Sequence, residues 1–257
     1  MTNRSPLKII FLLFAFCFST LVMAADSPII AAAASVKFAL EEIRSAFQKE
    51  HGKMVRISYA SSGSLTRQIQ QNAPFELFLS ANSQYVDILY QQHKTIDKGT
   101  TYALGRLALL TTRNSRIPLD EALEGIKQAY QNGQIKRFAI ANPEHAPYGI
   151  AAREVLQEQA LWEQIKPHLV LGENAAQATQ FISSGAAQSG LTSYSLALAP
   201  ALQNRTRFLL IPARYHQPLQ QTAVLLNHAS DTAKLFFNYL QQDKARRILL
   251  HYGYSLP

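Results

Sequence analysis

Three serines, Ser35, Ser62 and Ser64, stand where a short apolar run gives way to an amphipathic helical pattern: "IIAAAAS" leads into Val36, and "VRISYASSGSL" leads into Thr66. The first turn of a helix leaves backbone N–H groups without an internal partner, so hydroxyls beside them make a donor-rich spot that holds an oxyanion without a charged side chain. Two further junctions have the same composition, Pro147 to Gly149 in "NPEHAPYGIAAREVL" and Glu173 to Ala175 in "GENAAQA". An ordinary N-cap accounts for any one of these serines, and Asn174 reads more simply as the cap of its helix than as a ligand contact. The four junctions taken together carry the anion reading. A fully deprotonated tetrahedral dianion only accepts hydrogen bonds, and none of these junctions supplies an Arg–acid pair, whereas a protonated anion such as hydrogen phosphate calls for an acceptor carboxylate.

Alternating short β-rich runs and helical periods must bring these junctions together, the pattern of a parallel α/β sheet. Val36, Leu40, Ile43 and Phe47 recur at helical spacing, Gly52 stops that helix, and Val55, Ile57 and Tyr59 then alternate as a strand. A helix from about Ser64 to Gln71, a strand in "FELFLSA" and a helix through Tyr85, Ile88 and Leu89 complete a doubly wound first lobe. "YALGRLALLTT" reads as one long strand leaving it, and the helix after Pro118, "LDEALEGIKQAY", opens a second set. There "RFAIANP", "HLVLG", "SGLTSYSLA" and "RFLLIP" read as strands, with helices in "YGIAAREVLQEQAL" and "AAQATQFISSG". "QTAVLLN" and helices at Ala233–Leu240 and Lys244–His251 return to the first lobe. The expected division is 25–107 plus 220–257 for lobe I and 108–219 for lobe II, with two hinge crossings and a cleft at the carboxyl ends of the strands.

Residues 1–24 read as a cleaved export signal, with Arg4 and Lys8 ahead of the apolar run Ile9 to Val22 and a small residue, Ala24, at the cut. The run is short for a membrane span. Cys17 is the only cysteine and lies within the signal, so the exported chain has no disulfide, thiolate metal site or cysteine nucleophile. Loss of 24 residues from 257 leaves 233, and loss of Arg4 and Lys8 lowers the formal charge from +8 to +6. The remaining basic residues are scattered, which suits an anionic ligand, the acidic surface of a membrane or a plain solvated surface, and nucleic acid is not an expected partner in this exported compartment.

The segments "AAAAS", "YASSGSLTRQIQQNAPFELFLSA", "NPEHAPYGIAAREVL" and "GENAAQA", in this order, resemble the periplasmic molybdate-binding proteins that feed ABC transporters, over about Ile29 to the C-terminus. The resemblance implies an α/β, two-lobed type II periplasmic binding protein fold with a doubly wound sheet in each lobe. It also implies a monomer without a cofactor or enzymatic activity, which carries molybdate, and tungstate with it, to a membrane permease. The implied oxyanion contacts are Ser35 and Ser62 through hydroxyl and N–H, the N–H groups of Tyr148 and Ala175, and a tyrosine hydroxyl. Tyr194 is the nearest tyrosine for that last contact, although an ungapped match puts Ser193 there. The oxyanion is the only metal species implied, held by these same residues. Glu76, Asn82 and Asn142 depart from the family's usual acids at flanking positions.

Sulfate, with the same charge and shape, is the alternative within this architecture. An exported serine hydrolase is the enzymatic alternative, but the chain has no G-x-S-x-G elbow and its only S-x-x-K, Ser5 to Lys8, lies in the signal. The seven histidines, His145 among them, show no close ligand pairing and read as isolated surface or core residues.

Overall fold

A computed structural model describes residues 27–257; the expected export signal at 1–24 lies outside them. The chain starts β1 (Ile29–Ala33), passes a 3-10 turn at Ala34–Val36 and enters α1 (Lys37–His51). It continues through β2 (Arg56–Ala60), α2 (Ser62–Gln70), β3 (Phe75–Ser80), α3 (Ser83–Gln91), β4 (Thr100–Gly105) and β5 (Leu107–Thr112). The second set adds α4 (Glu124–Gln131), β6 (Phe138–Ala141), α5 (Pro147–Glu158), α6 (Trp162–Ile165), β7 (Leu169–Gly172), α7 (Ala175–Ser183), β8 (Ser189–Ser193), α8 (Tyr194–Ala197) and β9 (Thr206–Leu210). β10 (Leu219–Leu225), α9 (Asp231–Tyr239) and α10 (Asp243–His251) close the chain.

The strands form two five-stranded sheets of matching design, ordered β2-β1-β3-β10-β4 and β7-β6-β8-β5-β9. In the first, β1 runs parallel to β2 and β3, and β10 is antiparallel to β3 and β4. In the second, β6 runs parallel to β7 and β8, and β5 is antiparallel to β8 and β9. Helices cover both faces, which is why β1 and β6 are apolar along almost their whole length and not on alternate residues. Val36, Leu40, Ile43 and Phe47 of the first helical pattern are buried in one core with Phe236, Tyr239 and Leu249, so the C-terminal helices complete the first lobe. The second lobe's core, centred on Leu109, Ile126, Phe138 and Val155, also takes in Ala33 and Ala81 of the first, so apolar packing runs across the cleft.

Three expectations are corrected. The run Tyr102 to Thr112 is two strands, not one: β4 belongs to the first sheet and β5 to the second, and the chain crosses between lobes at Arg106. It crosses back through residues 211–218. The strand at Ser189 ends at Ser193, and Tyr194 begins a single helical turn. The helix after Pro118 starts only at Glu124, because Leu123 has left-handed backbone (φ 57) and Asp120 turns back to accept from the N–H groups of Glu124 (2.9 Å) and Gly125 (2.7 Å). A carboxylate on two otherwise unpaired amides at a positive helix end is a strong cap. Asp120→Ala is expected to lower unfolding free energy by about 1–2 kcal/mol in a urea titration.

Candidate functional site

All four strand-to-helix junctions line one hollow between the lobes, built from Ser35, Ser61, Ser62, Pro147, Tyr148, Asn174 and Ala175, with Ala33, Ala60 and Ala81 as apolar wall. Small side chains there let backbone approach backbone. At three of the junctions the local sequence fixes which residue carries the first free amide. Ser61 caps α2 by accepting from the Ser64 N–H (3.3 Å), which makes Ser62 the first helical residue. Pro147 occupies the first position of α5, where its missing N–H costs nothing, and Tyr148 follows. Asn174 caps α7 through the Gln177 N–H (3.1 Å), leaving Ala175 first in its helix. Among the described residues none accepts a hydrogen bond from the N–H of Ser35, Ser62, Tyr148 or Ala175.

The two serine hydroxyls are equally placed. Ser62 is fully buried, and its Oγ accepts from the Ala81 N–H (2.9 Å), so its proton remains for another acceptor. Ser35 is 1% exposed, and its Oγ has no hydrogen-bond partner among the described residues. No acidic or basic side chain is among the residues lining the hollow. Three helix starts facing it supply partial positive charge in their place. Four amides and two hydroxyls, all neutral donors, can satisfy an anion whose oxygens only accept.

Contacts across the cleft hold the two lobes closed. The Gly63 N–H donates to the His145 carbonyl (2.9 Å), Ser61 Oγ lies 2.8 Å from His145 Nδ1, and the Ser195 hydroxyl donates to the Ser35 carbonyl (3.0 Å). His145, read in the sequence as an isolated histidine, is buried and clasps the start of α2 with both its ring and its backbone. Its partners lie some eighty residues away along the chain, so no spacing rule could have found it. Ser61 was likewise hidden, since "ASSGS" does not say which serine is the cap.

Tyr194 is not brought to the hollow. With β8 ended at Ser193, its N–H bonds the Arg106 carbonyl (2.8 Å). Its ring lies under the Arg106 guanidinium (5.2 Å) and edge-on to Phe208 (5.7 Å). Ser193, the ungapped counterpart of the expected tyrosine, is fully buried and is not among the residues that line the hollow. Burial pushes the Tyr148 hydroxyl far above the ordinary tyrosine range, so it stays neutral. Among the described residues no three His, Asp or Glu side chains cluster so as to hold a metal cation.

Two α/β lobes joined by two crossings and closed over a shared hollow of helix starts define a solute-binding protein. A family model for bacterial extracellular solute-binding proteins matches residues 29–255. The molybdate-binding protein ModA of Azotobacter vinelandii is 33% identical over 88% of this chain and 89% of its own. ModA of Rhodobacter capsulatus is 32% identical over 90% and 89%. The structure of the periplasmic molybdate-binding protein of Azotobacter vinelandii superposes with a TM-score of 0.82 at 28% identity, covering 90% of this chain and all of that one. The chain belongs to the ModA family of bacterial extracellular solute-binding proteins.

Membership in a binding-protein family sets aside the serine hydrolase, although Ser61, His145 and Glu173 do fall in a row. Ser61 Oγ is committed to Ser64 as a cap and is buried, and the His145 Nε2 to Glu173 contact is long at 3.6 Å. The trio is a clasp between lobes.

Proposed function

We propose that this protein binds molybdate, and tungstate with it, in the periplasm and delivers it to an ABC transporter permease. The observation that carries the reading is the convergence on one hollow, lined by no charged side chain, of four amides that find no acceptor among the described residues. Ser35 and Ser62 donate their hydroxyls and N–H groups from the first lobe, and Tyr148 and Ala175 donate their N–H groups from the second. The anion lands on one lobe in the open form, and closure brings up the other. The relatives named for molybdate support the choice of ligand. A hydrogen phosphate ion would have its proton facing donors only, an unpaired polar contact that disfavours it. Sulfate shares charge and shape with molybdate and differs chiefly in size, so it is the necessary comparison.

Thermal unfolding with molybdate, tungstate, sulfate and phosphate in parallel tests the reading. At about a thousandfold excess over the dissociation constant, molybdate and tungstate should each add roughly 4 kcal/mol of stability, with phosphate adding nothing measurable. Stabilisation by sulfate alone would reassign the ligand within the same architecture, and a flat response to all four would reject the site.

A further inference from the structure

Three of the four residues that bring an amide to the hollow have their own carbonyl held by a buried hydroxyl. The Ser195 hydroxyl donates to the Ser35 carbonyl (3.0 Å), and the Thr66 hydroxyl donates to the Ser62 carbonyl (2.9 Å). The Ala175 carbonyl has two such neighbours, Thr179 Oγ1 at 2.8 Å and Thr192 Oγ1 at 3.1 Å, and these two oxygens lie 2.6 Å from each other. A threonine that bonds the carbonyl four residues back, as Thr66 and Thr179 do, is the ordinary way for a helix to satisfy a buried hydroxyl. Thr192 has no such local reason. It stands on β8, the middle strand of the second sheet, opposite Ala108 of β5, and is 1% exposed. Among the described residues, both hydrogen-bond contacts of its hydroxyl go to the start of α7.

Counting protons fixes how the cluster is wired. Two hydroxyls carry two protons, and the cluster has three contacts. A separation of 2.6 Å is a normal O–H···O distance only when one hydroxyl donates to the other. The Ala175 carbonyl has two lone pairs, one for the helical N–H of Thr179 and one for a hydroxyl. The result is a chain in which one threonine donates to the other and that second one donates to the carbonyl. In either direction Thr192 joins β8 to the first turn of α7. The same turn lies against the end of β7, where a Cβ at Gly172 would stand 2.6 Å from the Ala178 nitrogen and 3.1 Å from the Asn174 carbonyl oxygen.

Ala175 offers the anion a backbone N–H and nothing else, so the first turn of α7 alone decides where that donor lies. Ser62 has a further anchor, because the Ala81 N–H holds its hydroxyl oxygen (2.9 Å). Helix ends fray, and a contact group serves its ligand only when held within about 0.5 Å of the productive geometry. We propose that the Thr192 hydroxyl is a positioning group for the bound anion. Through Thr179 and the Ala175 carbonyl it pins the first turn of α7 to the middle strand of its sheet, and so holds the Ala175 N–H on the hollow. Neither threonine is among the residues lining the hollow, so neither touches the ligand. The proposal rests on Ala175 donating to the anion, as read above.

Molybdate titration calorimetry and anion-free melting of the wild type, Thr192→Val and Thr192→Ser test this. Valine keeps the branched shape that suits a strand and removes only the hydroxyl; Thr179 still bonds the Ala175 carbonyl, so no buried polar group loses its last partner. Thr192→Val should therefore melt close to the wild type and bind molybdate about tenfold more weakly. Thr192→Ser keeps the hydroxyl and loses a buried methyl, so it should melt lower yet hold its affinity to within about twofold. In amide NMR spectra the molybdate-induced shift of Ala175 should shrink in Thr192→Val, while that of Ser62 stays as in the wild type. An unchanged affinity in Thr192→Val overturns the proposal and leaves the anion reading intact. Affinity that follows melting temperature through both variants, or a Thr192→Val chain that does not fold, marks the hydroxyl as a part of the core and overturns the proposal too. A wild type that binds no tetrahedral anion removes both readings at once.

Discussion

Ser62→Asp is expected to abolish binding of every tetrahedral dianion, whereas Ser62→Ala only weakens it. The alanine variant loses one neutral donor and leaves an anion oxygen short of a partner, a penalty of about 1–3 kcal/mol, or roughly five- to 150-fold in affinity. An aspartate at the same position places a negative charge within about 4 Å of two others. At an effective dielectric of about 20, each pair at that distance repels by roughly 4 kcal/mol, so the electrostatic loss is about 8 kcal/mol before the missing donor is counted. That exceeds the contribution of any single remaining contact. Local structure accommodates the change, because a carboxylate is favourable in the first turn of α2 and can accept from the Ala81 N–H as the hydroxyl does. Calorimetry with molybdate on both variants, with circular dichroism to show the fold retained, reads the result. An aspartate variant that still bound molybdate with micromolar or better affinity would remove the anion from this hollow.

The sharp separation between these two variants follows from what the sequence already exposes. Helices and strands with an uninterrupted period, such as Val36 to Phe47 or "RFAIANP", are legible because burial on one stripe or on both faces leaves a repeating mark. The four junctions are legible for the same reason: an apolar run that ends in Ser, Pro or Asn before a helical period is a strand meeting a helix start. Where a run carries only ambiguous punctuation, the pattern fails. Tyr102 to Thr112 is broken in its middle only by Gly105 and Arg106, an interruption that one long strand tolerates as well as a change of sheet does, so the pair does not announce that the chain changes lobes there. Leu123 and Tyr194 mark the same limit at finer scale, since each sits at a boundary set by backbone geometry and tertiary contact.

Residues whose role depends on distant partners are hidden altogether. His145 meets Ser61 and Gly63, and the Ser195 hydroxyl meets the Ser35 carbonyl, only because the two crossings fold one lobe onto the other. Nothing local distinguishes them from a surface histidine or an ordinary loop serine. Gly63 belongs with them. In the sequence it stands just ahead of the helix expected from Ser64, where nothing singles it out.

The structure gives that glycine a reason, and the reason predicts opposite effects on stability and on binding. Gly63 is the second residue of α2 and has no left-handed backbone, so its own conformation does not require glycine. What requires it is the other lobe: a Cβ at Gly63 would lie 2.7 Å from the His145 carbonyl oxygen and 2.9 Å from the His145 Cβ. Both are held by the backbone of the second lobe, and the carbonyl is the one that accepts from the Gly63 N–H, so neither can step aside without opening the cleft. In the open form no such neighbour exists, and alanine favours the helix over glycine by roughly 0.5–1 kcal/mol. Gly63→Ala should therefore be at least as stable as the wild type toward heat without anion. It should bind molybdate at least about a hundredfold more weakly, because the closed state now carries a backbone clash of about 3 kcal/mol or more. Small-angle scattering distinguishes this from damage to the site itself: molybdate should compact the wild type and leave the variant's radius of gyration unchanged. Equal affinity and equal compaction in Gly63→Ala would mean that the lobes close without bringing His145 against Gly63, and that the clasp plays no part in binding.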